Sequence, residues 1–210
     1  MTGPGTRLLL IERDSLLPLL RRTPEEAFDR PTVCTEWSVR DVLAHCASAL
    51  VRVATGDVHG FTPEENQRDV DERKPWPLAD VLAELERGYD LAAAADIGTG
   101  VPLGEWVHGG DVREALGRDD AYVSEGVDAA LALVCDYSRR RGVPPTEVRL
   151  TDAAERGLPE TLRLGDPARQ PVGRLTTGTA GLVRVVAGRR AESVRHDVQG
   201  VDLAALRLFS

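Results

Sequence analysis

Aromatic side chains are scarce in this chain, at 4% of 210 residues, so any core it buries is built from Leu, Val and Ala. Lysine is nearly missing: Lys74 is the only one, and the other basic side chains are arginine. With abundant Ala, Gly and Pro, that pattern fits a GC-rich coding bias more than a chemical demand. Cysteine is sparse as well. Cys34, Cys46 and Cys135 are odd in number, far apart and form no C-x-x-C pair. This argues against a disulfide framework or a cysteine zinc site and suits a reducing cytoplasm, the expected location. No apolar run reaches the length of a membrane span. Leu8–Ile11 is cut off by Glu12, Arg13 and Asp14, too early for a signal sequence. Positive charge is also in deficit. A net charge of −8 argues against nucleic acid, whose phosphates require a basic surface, and leaves room only for an arginine-lined pocket for a small anion.

What the chain does have is amphipathic helix. Hydrophobic residues make up 42%, enough for one sizeable domain or a larger and a smaller one. Apolar periodicity predicts helices over Arg7–Arg22 (flawed by Pro18), Ser38–Thr55, Leu78–Asp96, Leu103–Leu116 and Glu125–Arg141. Ser38 and Asp41 have the spacing of a capping box, and Gly56 and Gly117 stand where helices end. Asp57–Trp76 reads as polar and irregular, with a short helix near Glu64–Glu72. After Pro144-Pro145 the character changes. Val148–Thr151, Glu160–Leu164, Gly173–Thr176 and Ser193–Val198 read as strands, and Thr179–Ala187 and Asp202–Leu208 as short helices. The expected architecture is mainly α: a four-helix bundle over 1–143 and a small α+β module over 144–210.

The densest chemistry lies in Glu105-Trp-Val-His108-Gly-Gly-Asp111. Glu105, His108 and Asp111 step by three, which places them on one helical surface. Paired mid-helix glycines, Gly109-Gly110, cost about 1 kcal/mol each against alanine and call for a close neighbour or a ligand. Among the four histidines, His45, His59, His108 and His196, His45 shares a stripe with Val42, Ala49 and Val53. A metal held by His45, Glu105 and His108 is one reading, and a buried hydrogen-bond network is the other. Asp111 is open to three roles: orienting His108, ligating, or pairing with Arg113 or Arg118 at the surface. Arg189 and Arg190 are candidates for holding a substrate or cofactor carboxylate, or else favourable charges behind a helix.

Two segments resemble a known family. Pro31-Thr-Val-Cys-Thr-Glu-Trp-Ser-Val-Arg-Asp-Val-Leu-Ala-His45 resembles the second-helix signature of the mycothiol-dependent maleylpyruvate isomerases, the actinobacterial branch of the DinB-like metal-binding bundles. Glu105-Trp-Val-His108-Gly-Gly-Asp111-Val-Arg-Glu-Ala-Leu-Gly117 resembles its second signature, and Thr176-Thr-Gly-Thr-Ala-Gly-Leu-Val with Ala187-Gly-Arg-Arg190 its C-terminal module. The resemblance implies a DinB-like four-helix bundle with a divalent metal, usually zinc, held by His45, His108 and a glutamate. In the family's best-known members the glutamate lies four residues before the histidine, where this chain has Gly104. Glu105 lies three before it, so Asp111 or a water is the alternative ligand.

The function this implies is a zinc-dependent isomerase or thiol S-transferase that uses mycothiol on a small electrophilic metabolite. The alternative is a non-catalytic metal- or small-ligand-binding protein. The expected partners are the substrate and the low-molecular-weight thiol, with neither nucleic acid nor membrane. The expected assembly is a monomer or homodimer.

Overall fold

Helix α1 (Pro4–Arg22) begins three residues before the expected Arg7, with Pro4 in its first turn, where a missing N–H is harmless. The computed structural model describes residues 3–34, 36–57, 60–190 and 195–209. Met1, Thr2, Thr35, His59 and the first two residues of the expected strand Ser193–Val198 lie outside them. Helix α1 continues through Pro18. The N–H lost there is the one that would reach the Asp14 carbonyl. Asp14 is exposed, so solvent can serve that carbonyl instead.

A 3₁₀ turn, Glu25–Asp29, leads into a tight connector and then α2 (Val39–Thr55). The capping box is present: the Asp41 backbone N–H donates to Ser38 Oγ, and the Ser38 backbone N–H donates to the Asp41 carboxylate. Gly56 ends the helix at φ +77°, a conformation open to glycine at little cost. Helix α3 (Pro63–Arg73) has its own capping box, from Thr62 and Glu65. Then come α4 (Leu78–Ala95) and α5 (Gly100–Ala115), the latter starting three residues before the expected Leu103.

The bundle is α1, α2, α4 and α5. Helix α2 packs chiefly on α4 and α1 chiefly on α5, while α3 lies along α2. Leu9, Leu16, Leu20, Val42, Leu43, Leu50, Val81, Leu85, Tyr89 and Val112 form its core. Each fully buried aliphatic side chain of this kind contributes roughly 1.5–3 kcal/mol. Gly88 lets α2 and α4 approach, since a Cβ there would lie 2.9 Å from Leu50 Cβ.

The chain divides into two compact units, Met1–Ala121 and Tyr122–Ser210. The expected boundary at residue 144 is therefore displaced, and α6 (Val127–Arg140) belongs to the second unit. The physical reason is local: α6 packs on a strand of that unit, and Ser138 Oγ accepts the backbone N–H of Gly165. Ser124 does not cap α6. Gly126, at φ +84°, holds the N-cap position. The second unit continues with β1 (Thr146–Leu150), α7 (Ala153–Arg156), β2 (Thr161–Leu164), β3 (Gly173–Thr177), α8 (Thr179–Val186) and β4 (His196–Gln199). Sheet order is β2-β1-β3-β4, with β1 and β3 parallel and both outer pairs antiparallel. Helical bundle and small α+β module both match the expected fold class. Among the described residues, no helix is long and apolar enough to cross a membrane.

Candidate metal centre

Helix α5 carries its polar residues inward. Glu105 is 3% exposed and Asp111 fully buried, so Asp111 is no surface salt-bridge partner. Arg113 instead pairs with Glu12 and Arg118 with Asp120. The Asp111 carboxylate faces two other groups. Its Oδ2 lies 3.1 Å from His108 Nδ1 and accepts the Cys34 thiol at 3.0 Å. Cys34 Sγ is 3.7 Å from the same imidazole nitrogen.

Cys34 reaches this position from the connector before α2. The backbone N–H of Thr32 donates to the Trp37 carbonyl, and that of Trp37 to the Cys34 carbonyl. Pro31 and Ser38 form a bridge across the turn. Glu36 completes it at φ +71°, the left-handed region that non-glycine residues seldom enter. Such strain persists only where the surroundings over-determine the conformation.

His45, on α2, is buried beside this group. Its ring centroid is 5.4 Å from that of His108, edge to face, and 5.2 Å from Trp37. Its Nδ1 is 3.6 Å from Asp69 Oδ2, an ion-pair separation longer than a hydrogen bond. Asp69 comes from α3 and is pinned by Ser48 Oγ at 2.8 Å and Arg52 Nη1 at 2.9 Å, both on α2. Burial opposes its ionisation, but His45, Ser48 and Arg52 together hold the carboxyl below the usual range. Trp37 Nε1 donates to Gln67 on the same helix at 2.9 Å. Helix α3, expected as a short helix in a solvated loop, thus has a buried inner face against the site.

Glu105 lies about 60° around the helix from His108 and about 40° from Gly109. Burial pushes its carboxyl up to about 8, against a thiol hydrogen bond from Cys46 and with added repulsion from Glu12. Burial, then Glu105 itself, drives the Cys46 thiol well above its ordinary range, so Cys46 is not a ready nucleophile. Glu105 Oε2 and His45 Nδ1 are both buried without a hydrogen-bond partner. Orphaned polar atoms are rare in protein interiors, and an ion or water is one usual explanation.

The sequence pointed to His45, Glu105 and His108 as ligands. Among the described residues, the group whose donor atoms lie within 4.8 Å of one another is Cys34, His108 and Asp111. The structure therefore brings His45 and His108 side by side and puts Asp111 on His108. It also adds Cys34, although cysteine spacing argues against a cysteine zinc site. That spacing compares cysteines only with each other, whereas Cys34 meets a histidine and an aspartate more than seventy positions away. Asp69 was missed too, though the i, i+3, i+7 row of His45, Ser48 and Arg52 on α2 marks a polar face in need of a partner. Arg189 and Arg190 lie in the second unit just beyond α8, Arg189 partly buried and Arg190 exposed.

Comparison with known proteins shows the family and the fold. The family described as the mycothiol maleylpyruvate isomerase N-terminal domain matches residues 9–118. Two solved structures share the fold. One is a crystal structure of the mycothiol-dependent maleylpyruvate isomerase, with TM-score 0.59 and 13% identity, covering 94% of this chain and 93% of that one. The other is a histidine-to-alanine mutant of that enzyme, with TM-score 0.55 and the same identity and coverage. No match is found among curated proteins.

Proposed function

Because the chain belongs to the mycothiol maleylpyruvate isomerase family through its N-terminal domain, we propose that it is a metal-dependent enzyme using mycothiol on a small electrophilic metabolite, as an isomerase or a thiol S-transferase. The observation that carries this reading is the pair of imidazoles from facing helices, His45 on α2 and His108 on α5, each with a carboxylate at Nδ1. His108 Nδ1 lies within hydrogen-bond reach of Asp111, and a proton shared there leaves Nε2 as the lone-pair nitrogen, the arrangement common in metal-ligating histidines; Asp69 faces His45 Nδ1 at longer range. The proposed ligands are His45, His108 and Glu105, with Asp69 and Asp111 orienting the rings. The orphaned Glu105 Oε2 supports a site that takes up a cation. Imidazole and carboxylate donors favour zinc.

A bound divalent metal supplies a position at which a thiol ionises near neutral pH. The residues of this chain do the rest. Trp37 packs on His45 and limits access of water to it. Glu105 holds a proton at neutral pH while no cation is near, and a cation beside it favours the carboxylate. The substrate thiolate adds to an electrophilic carbon. In an isomerase the adduct rotates and the thiol leaves, and in a transferase the sulfur–carbon bond remains. Arg189 and Arg190 are proposed to hold a carboxylate of substrate or thiol. A cytoplasmic location and a monomeric or homodimeric state complete the proposal.

Metal content after purification, compared with His45→Ala and His108→Ala, tests the site. One equivalent in the parent and loss in both variants is expected, together with mycothiol-dependent turnover of electrophiles. Undiminished metal in both variants sinks the proposed site. Gly104, standing where the family's best-known members place a glutamate, favours one second reading, a binding protein without turnover. Stoichiometric metal with no mycothiol-dependent reaction would support that reading.

A further inference from the structure

We propose that Cys34, His108 and Asp111 form a thiolate-containing metal site, so that a connector cysteine and an aspartate one turn after the histidine take the place of Glu105 and His45. This rests on the metal-dependent reading above and changes its ligand set.

The donor atoms already have the spacing of a shared coordination sphere. Sγ to Nδ1 is 3.7 Å, Sγ to Oδ2 3.0 Å, and Nδ1 to Oδ2 3.1 Å. Tetrahedral zinc holds sulfur at about 2.3 Å and nitrogen or oxygen at about 2.0–2.2 Å, which separates neighbouring vertices by roughly 3.3–3.7 Å. The three observed edges fall within about half an ångström of that range. Three protein donors leave the fourth vertex for a substrate thiol, the usual pattern of a catalytic zinc.

The surroundings suit the assignment. Cys34 is held by the strained turn at Glu36, and Asp111 by its burial on α5, so two rigid elements present the donors. A cation between the three groups takes the place of the proton that Cys34 donates to Asp111 and faces all three donors at once. Binding breaks the Cys34 S–H bond and forms the sulfur–metal bond, and the proton goes to solvent. His108 binds as the neutral imidazole through Nδ1, and Asp111 as the carboxylate through Oδ2. Glu105, beside Cys46 and Glu12, then stays out of the coordination sphere, and His45 packs edge to face against His108 outside it.

Cobalt(II) is the probe, titrated into the metal-stripped full chain. The expected result is one equivalent bound, with tetrahedral d–d bands and a near-ultraviolet thiolate-to-cobalt charge-transfer band. Cys34→Ser should lose the charge-transfer band and bind cobalt at least about tenfold more weakly. Cys46→Ser and Glu105→Gln should keep both sets of bands. Circular dichroism melts establish that the variants fold, and Asp111→Asn, which should also weaken binding, stands in if Cys34→Ser does not. Tetrahedral d–d bands without charge transfer, abolished by Glu105→Gln, would overturn this ligand set and leave the metal-dependent reading intact. A charge-transfer band lost in Cys46→Ser but kept in Cys34→Ser would also overturn it. No cobalt bound would overturn both.

Discussion

Helix α5 carries two buried polar clusters on different faces. Toward α1, Arg113 Nη1 donates to Glu12 Oε1 at 2.6 Å and Nη2 to Ser15 Oγ at 2.6 Å. Gly109 makes room there, because a Cβ would collide with the Glu12 carboxylate and come within 2.8 Å of the Arg113 guanidinium. Toward the connector, Asp111 and His108 meet Cys34. The first cluster joins a permanent cation to a carboxylate. Burial raises the Glu12 carboxyl, and Arg113 only partly offsets this. The second joins three groups whose charge depends on their protons. Burial alone therefore does not distinguish a structural polar cluster from a functional one. What distinguishes them is whether the partners neutralise each other or are good donors to a third species. Glu105 lies between the two faces, and Glu12 of the first adds repulsion to its burial.

The largest effect should come from breaking the structural cluster. Arg113→Met leaves Glu12 buried and unpaired and should cost about 3–5 kcal/mol in urea unfolding. Cobalt affinity of the folded fraction should be unchanged. A comparable loss of affinity would show that the faces are not separable.

Glu105 sharpens the comparison through pH. Its folded pKa, about 8, stands above the ordinary 4.5. Between those values the folded chain keeps a proton that the unfolded chain has released, so stability falls as pH rises through that window. The slope from this group reaches at most about 1.4 kcal/mol per pH unit in the metal-free protein. Glu105→Gln should flatten the dependence of the urea midpoint on pH. Parallel curves for parent and variant would rule out a raised carboxyl.

A smaller effect is expected from Gly109→Ala. The added methyl forces Glu12 or Arg113 to shift, costing about 1–3 kcal/mol. An unchanged melting temperature would mean that α1 and α5 are not in close contact there. Smallest in stability, but specific in binding, is Asp111→Asn. Metal affinity should fall about 10–100-fold while the urea midpoint moves less than in Arg113→Met. The reverse pattern would make Asp111 a structural residue like Arg113.

Local rules are legible in the chain. The Ser38–Asp41 box and the Gly56 stop are geometric consequences of a few neighbouring residues, and both occur. The double glycine called for a close neighbour, and Glu12 is that neighbour at Gly109. Where tertiary contacts decide, the local pattern is silent. Helix α3 looked like a solvated segment because its single buried acid, Asp69, is invisible until α2 supplies Ser48, Arg52 and His45. Helix α6 carries the same amphipathic pattern as the bundle helices, and nothing in that pattern says which sheet or helix will cover its apolar side.

The sequence by itself determined the helices, the C-terminal strands and the presence of an acidic, imidazole-bearing helix, because periodicity, caps and turns act over a few residues. Only the tertiary structure decided that His108 meets Cys34 and His45, that Asp111 is buried, and that Arg113 belongs to Glu12. Those pairings depend on which faces of distant helices pack together, and that is set by the whole core.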